Sequence, residues 1–181
     1  MQPKLLLNAM QMNILLHRLA CQLIENHNDL KSTILIGLQP RGVNVLNRLI
    51  EILTHSYGID DLKSGKLDTT FFRDDFRRSE KPHVAQATEL NLPIENKTIV
   101  LIDDVLYTGR SIRAALTAIE SYGRPKYIQL LTLIDRRFSR DLPIQPDYVG
   151  QQVDALQNDK VAVTWKEQGK EDAVYLLKEI K

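Results

Sequence analysis

Cysteine is nearly absent from this chain. The single Cys21 excludes an intrachain disulfide, which fits a reducing, cytoplasmic setting. No apolar run approaches the ~20 residues of a membrane-spanning helix. The opening Met1-Gln2-Pro3-Lys4, followed by Leu5 to Leu7, carries too short an apolar block for a secretion signal. Net charge is lacking as well: 24 Lys and Arg against 23 Asp and Glu leave +1. Bulk charge therefore makes no case for nucleic acid or an anionic membrane, and any such binding needs a local patch. The four histidines, His17, His27, His55 and His83, have no ligand spacing, so no zinc site is expected. Cys21 lies between apolar positions of a helical pattern and reads as a core thiol. Repeats and low-complexity tracts are missing.

What is present suits one domain. The 181 residues are 43% hydrophobic and 26% charged, enough to bury a core without staples. Met10 to His27 repeats apolar residues at helical spacing. Thr33 to Leu38 is a short apolar run, as a strand covered on both faces would be. Gln39-Pro40-Arg41-Gly42 breaks it, and a second helical pattern runs to Gly58. Leu67 to Arg73 is β-branched and aromatic and predicts a strand. Residues 74–91 are polar without period, and loops of that length often bind or cover a site. Thr98 to Ile102 predicts a strand, Ser111 to Tyr122 a helix capped by Ser111, and Tyr127 to Ile134 another strand. Val161 to Trp165 and Ala173 to Leu177 predict a hairpin, with Trp165 as a packing residue. Strands alternating with helices imply a three-layer α/β domain with a central, mainly parallel sheet and ligands at the strands' carboxyl ends.

One stretch carries chemistry. Ile99 to Ile102, then Asp103-Asp104-Val105-Leu106-Tyr107-Thr108-Gly109-Arg110-Ser111, leads from a strand into a helix. A helix start offers free N–H groups and the positive dipole end. Gly109 allows close approach, and Thr108 and Ser111 add hydroxyls, so the turn suits a monophosphate. The spacing is neither that of a Walker A loop nor of a dinucleotide fingerprint. Two carboxylates would repel that phosphate, but they accept well from sugar hydroxyls. The combination suits a ribose 5-phosphate.

The stretch IVLIDDVLYTGRS resembles the thirteen-residue signature of type I phosphoribosyltransferases, which bind 5-phosphoribosyl-1-pyrophosphate (PRPP). Gly37 to Gly42, Leu67 to Asp75, Gly123-Arg124-Pro125, Ile134-Asp135-Arg136 and Leu142 to Gly150 extend the likeness in order. Together they are similar to the pyrimidine-operon attenuation regulators that are also uracil phosphoribosyltransferases, over nearly the whole chain as far as about Val153.

That resemblance implies a single domain over 1–181, with a catalytic loop at about 74–91 and a small hood from about 135–155. It implies conversion of uracil and PRPP to UMP and pyrophosphate, with Mg²⁺ held mainly through substrate oxygens and no protein-only metal site. Asp103 and Asp104 would bind ribose hydroxyls, and Val105 to Ser111 the phosphate. Arg41 and Gly42 would sit in the pyrophosphate loop, where the Gln39–Pro40 bond is expected to be cis. Arg73 is assigned to the pyrophosphate, with a surface ion pair to Asp74 or Asp75 as its alternative. Arg136, Tyr148 and Val149 match base-binding positions, Tyr148 by stacking and Arg136 by reaching an exocyclic oxygen. Tyr107, where purine enzymes of this fold carry an aspartate, argues for a pyrimidine. Messenger RNA from a pyrimidine leader and a homo-oligomer, dimer or larger, are implied partners. Arg136 to Arg140 departs from the family's usual run and is one residue longer; a base hood, an RNA contact and a solvated loop all remain open for it. A regulator that senses nucleotides and binds RNA without catalysis, and an enzyme for another base, are the alternatives.

Overall fold

The computed structural model describes residues 2–73, 85–156 and 158–178. Most of the loop expected at 74–91 lies outside them.

Strand β1 (Gln2–Leu7) leads into helix α1 (Ala9–His27). Asn8 caps α1 reciprocally with Gln11: each side chain accepts from the other's backbone N–H, at 2.9 and 3.0 Å. Strand β2 (Thr33–Leu38) is buried throughout. Helix α2 (Gly42–Tyr57) follows and is closed by Gly58 in the left-handed conformation. Next come β3 (Lys63–Leu67), β4 (Thr98–Leu106), α3 (Arg110–Ile119), β5 (Tyr127–Arg137), β6 (Tyr148–Asp154), β7 (Lys160–Thr164) and β8 (Ala173–Lys178).

Five strands form an all-parallel sheet in the order β3-β2-β4-β5-β6. The chain moves from β2 outward to β3 and then back across to β4. The order therefore reverses between β2 and β4, and their carboxyl ends open a crevice there. One core packs α1 and α2 against the sheet through Leu19, Leu23, Leu49, Val100 and Ile102. A second packs α3 on the opposite face through Ile112, Ala115, Ile99 and Leu101. A separate antiparallel sheet, β1-β8-β7, joins the two ends of the chain and adds Leu7, Trp165 and Val174 to the first core. No helix among the described residues is long and apolar enough to cross a membrane.

Several expectations need correcting. The strand predicted at Leu67–Arg73 lies earlier, as β3, and Thr70–Phe72 forms a 3-10 turn. Edge strand β3 alternates burial and reads as polar (Lys-Ser-Gly-Lys-Leu), which hid it. Gly109, with φ 90°, rather than Ser111, precedes the first turn of α3, and α3 ends at Ile119. The hood expected at 135–155 is divided: 135–137 and 148–154 belong to the central sheet, because they pair along β5 and β6. The second sheet instead comes from the chain ends, and β1 was not foreseen. Cys21 is only half-buried, with Sγ 3.0 Å from the Tyr57 hydroxyl.

Candidate active site

Two adjoining clefts open at the carboxyl ends of β2 and β4. The larger, ≈ 390 Å³, is lined by Gln39, Pro40, Arg41, Thr70, Asp103 and Asp104, among others. The smaller, ≈ 200 Å³, is lined by Leu106 to Ser111. Arg73, Asp103, Val105 and Ser111 border both. The Gln39–Pro40 peptide is cis.

Gly42 begins α2 against the strand that carries the acids. A Cβ there would lie 2.2 Å from the Ile102 carbonyl oxygen, so glycine is what lets the loop after β2 reach the acid pair. Gly109 holds the opposite wall. Its positive φ turns the chain into α3, leaving the first N–H groups of that helix facing the small cleft. Ile144 packs over it, 3.2 Å from where a Cβ would sit.

The acid pair is under electrostatic load. Asp104 is 4% exposed, and its Oδ2 is buried without a hydrogen-bond partner. Asp103 is partly exposed at the cleft, and its Oδ1 accepts from the Asp104 backbone N–H at 2.9 Å. Burial, followed by the charge of Asp104, pushes the Asp103 carboxyl well above the usual carboxylate range. Burial also raises the Asp104 carboxyl, against the opposing pull of Arg41. Burial is the largest cause in both, and it disfavours the charged forms until a donor or cation arrives. The carboxylate donor set and the orphaned Asp104 oxygen fit a hard divalent ion with further oxygens from substrate and water. No group of three or more metal-ligating side chains occurs among the described residues.

Arg73 donates to Ser111 Oγ at 2.7 Å. It thus reaches the turn between β4 and α3, and it lines the same cleft as Arg41. Tyr107 is 39% exposed, and the Arg136 guanidinium lies 4.0 Å from its ring centroid. Arg136 is otherwise buried and donates to the Leu156 carbonyl at 2.6 Å. Arg110, on the smaller cleft, pairs with Asp141 at 2.8 Å.

Tyr148 does not join the site. It stands at the start of β6, opposite Leu131, and faces α1. Its ring is 2% exposed, and its hydroxyl meets Gln129, Asn26 and His27 at 3.2, 3.2 and 3.0 Å. The strand enters the sheet there, a full strand length from the carboxyl end. Val149 borders a separate depression of ≈ 370 Å³ with Ile144 and Gln152.

Arg140 was not singled out from the sequence. It donates to the carbonyls of Ile144 (3.0 Å), Leu106 (3.3 Å), Arg136 (3.2 Å) and Tyr107, and to the Asp135 carboxylate. It ties the loop after β5 to the end of β4, and Asp141 adds a backbone bond to the Thr108 carbonyl at 3.0 Å. No spacing rule would have found it, because five acceptors converge from three separate segments. A wider depression of ≈ 900 Å³ beside the end of α3, lined by Leu116 and Ile128, lies away from these groups.

Residues 4–168 match the phosphoribosyl transferase domain, and the chain belongs to that family. The fold agrees: a hypoxanthine phosphoribosyltransferase of Staphylococcus aureus superposes with a TM-score of 0.71 at 20% identity, over 97% of this chain and 92% of its own. Among curated relatives, the bifunctional protein PyrR of Desulfosudis oleivorans is 40% identical over 168 residues, 93% of this chain and 92% of that protein. The bifunctional protein PyrR of Enterococcus faecalis is 36% identical over 178 residues, 98% of each.

Proposed function

We propose that the chain transfers the 5-phosphoribosyl group of PRPP to uracil, giving UMP and pyrophosphate. The observation that carries this reading is the acid pair Asp103–Asp104 at the end of β4, beside the open start of α3. Carboxylate acceptors for a diol stand on one flank and N–H donors for a phosphate on the other. Choice of a pyrimidine is supported by the likeness to PyrR proteins and by Tyr107, whose ring lies against Arg136 where purine enzymes of this fold carry an acid. In that frame Arg136, against the Tyr107 ring, is the base-side residue, while Tyr148 supports the sheet and Val149 borders the separate depression.

In the reaction the bond from ribose C1 to the pyrophosphate oxygen breaks and its electron pair leaves with pyrophosphate. The bond from C1 to uracil N1 forms, and the N1 proton passes to solvent. No covalent nucleophile is required. Asp103 and Asp104 orient the ribose, Thr108 to Ser111 hold the phosphate, and Arg41 stands ready for the departing charge. Mg²⁺ would be held by Asp103 and Asp104 together with PRPP oxygens, and when bound it neutralises negative charge on the pyrophosphate.

The test is product formation from PRPP, Mg²⁺ and a panel of uracil, orotate, hypoxanthine, guanine and xanthine. UMP from uracil in excess of every other product is expected. A purine nucleotide as the main product overturns the base assignment, and no product from any base overturns catalysis. RNA binding, the second activity suggested by the likeness, is checked by filter binding to a pyrimidine-leader RNA with and without UMP. Phosphate contacts there weaken steeply with salt.

A further inference from the structure

The excursion that leaves β3 at Leu67 returns beside it, where Lys66 and Glu89 exchange backbone hydrogen bonds of 3.0 and 2.9 Å. Asp68 sits inside this closure, 8% exposed. Its Oδ1 accepts from the Thr70 backbone N–H at 2.8 Å and from the Thr70 hydroxyl at 2.6 Å. Its Oδ2 accepts from the Gln86 backbone N–H at 2.5 Å. Its own N–H donates to Thr88 Oγ1 at 3.1 Å. One carboxylate thus joins the outgoing foot of the excursion to the returning foot. Gln39, in the turn after β2, donates to the Ala87 carbonyl at 3.2 Å and ties that returning foot to the cleft's other wall.

What Asp68 holds is part of the cleft. Thr69, Thr70 and Arg73 line it, and the 3-10 turn carries the placement of Thr70 onward, with Phe72 N–H donating to Thr69 at 3.0 Å. At the end of that turn Arg73 reaches Ser111. Three donors converge on the carboxylate, so all of its partners need an acceptor. An asparagine would turn its NH₂ toward an N–H or hydroxyl whichever way it faced, and would lose one foot.

We propose that Asp68 is a positioning residue for phosphoribosyl transfer: it fixes the Thr69–Arg73 wall of the cleft and thereby sets the Arg73 guanidinium against the phosphate turn. The proposal rests on the transfer reading above. It concerns an acid outside the Asp103–Asp104 pair that touches no substrate.

The experiment compares wild type, Asp68→Asn and Thr88→Val. The last removes one bond of the clasp from outside the cleft and serves if Asp68→Asn fails to fold. Amide hydrogen exchange is read at Thr70 and Gln86, and steady-state kinetics are measured with uracil, PRPP and Mg²⁺. In Asp68→Asn at least one of the two amides should lose protection, and kcat should fall at least tenfold, with the KM for the base within twofold of wild type. Thr88→Val should lower kcat about threefold in the same pattern. A kcat within twofold of wild type in an Asp68→Asn protein that has lost the protection overturns the positioning role. Unchanged protection in that variant overturns the clasp itself. A wild type without turnover on any base overturns the transfer reading and this proposal with it. Normal wild-type turnover with unaffected variants overturns this one alone.

Discussion

Removing the hydroxyl of Tyr148 separates two roles that its sequence position left entangled. If the ring stacked on a base, Tyr148→Phe would be silent and Tyr148→Leu would raise the KM for uracil, because base–aromatic stacking is worth about 1–3 kcal/mol, roughly five- to 150-fold. The structure puts the ring in the core instead, with its hydroxyl shared among Gln129, Asn26 and His27. Asn26 is exposed and can return to water; Gln129 and His27 are half-buried. Leaving half-buried groups short of a partner costs about 1–3 kcal/mol, and water access to both places the total near 2 kcal/mol. At about 2–4 °C per kcal/mol for a chain of this size, Tyr148→Phe should lower Tm by roughly 4–8 °C, with kcat and the KM for uracil within twofold of wild type. Tyr148→Leu should melt lower still, because the lost ring leaves a void, again with unchanged KM. Thermal melts and steady-state kinetics on the same preparations decide the matter. A tenfold rise in the KM for uracil in Tyr148→Leu, with Tm unchanged, would refute the placement of this side chain.

The same cluster predicts a pH response. Burial pulls the His27 pKa below its ordinary 6.5, with Gln129 partly opposing. The native state resists protonation there, so this contribution is complete above 6.5 and is lost as pH falls through the native value. Tm should drop between pH 7 and 5, and His27→Gln should flatten that drop. Asp104 has the opposite sign. Its raised native pKa means that stability declines as pH rises through that value, so Asp104→Asn should melt higher than wild type at pH 7–8, with the gain shrinking toward pH 4. The same variant should lose about 10- to 150-fold in kcat/KM, the worth of a charged hydrogen bond of about 1.5–3 kcal/mol. Gly42→Ala forces a methyl to within 2.2 Å of the Ile102 carbonyl. It should cost about 1–3 kcal/mol by melting and weaken PRPP binding measured by calorimetry.

Sequence reading succeeded where backbone and periodicity do the work. The apolar Thr33–Leu38 run became β2 with the same bounds, and the acid pair and phosphate turn fell between a strand end and a helix start because that unit dictates their placement. It failed where the direction of a side chain decides. Tyr148 and Val149 are neighbours on β6, so their side chains leave opposite faces, and only the register against β5 tells which face meets α1. It failed also where partners come from far along the chain. Strand β1 is legible only with β8, more than 160 residues away, and Asp68 only with Gln86.

The arginines carry the same lesson into function. Arg136, Arg137 and Arg140 make the segment after β5 look like a basic patch, but position does not equal availability. Arg140 is spent on carbonyls and Asp135, and Arg137 is paired in two-pronged fashion with Asp154 at 2.6 and 2.8 Å. Arg18, the strong base of α1, donates to Val149 and Gly150 of β6. Arg140 and Arg137 fasten the loop and strand ends on the cleft side of the sheet, and Arg18 fastens α1 to the start of β6. Phe138 in this segment stands 82% exposed at a φ of 64°, a conformation costly for a bulky side chain. A surface built to bind a polyanion would leave its cations unpaired and the backbone relaxed. A surface built to hold a phosphate turn still would tolerate strain at its rim and consume its arginines internally, as this one does. The fastened geometry is what a cleft organised around a small sugar phosphate, the reading proposed above, requires of its rim.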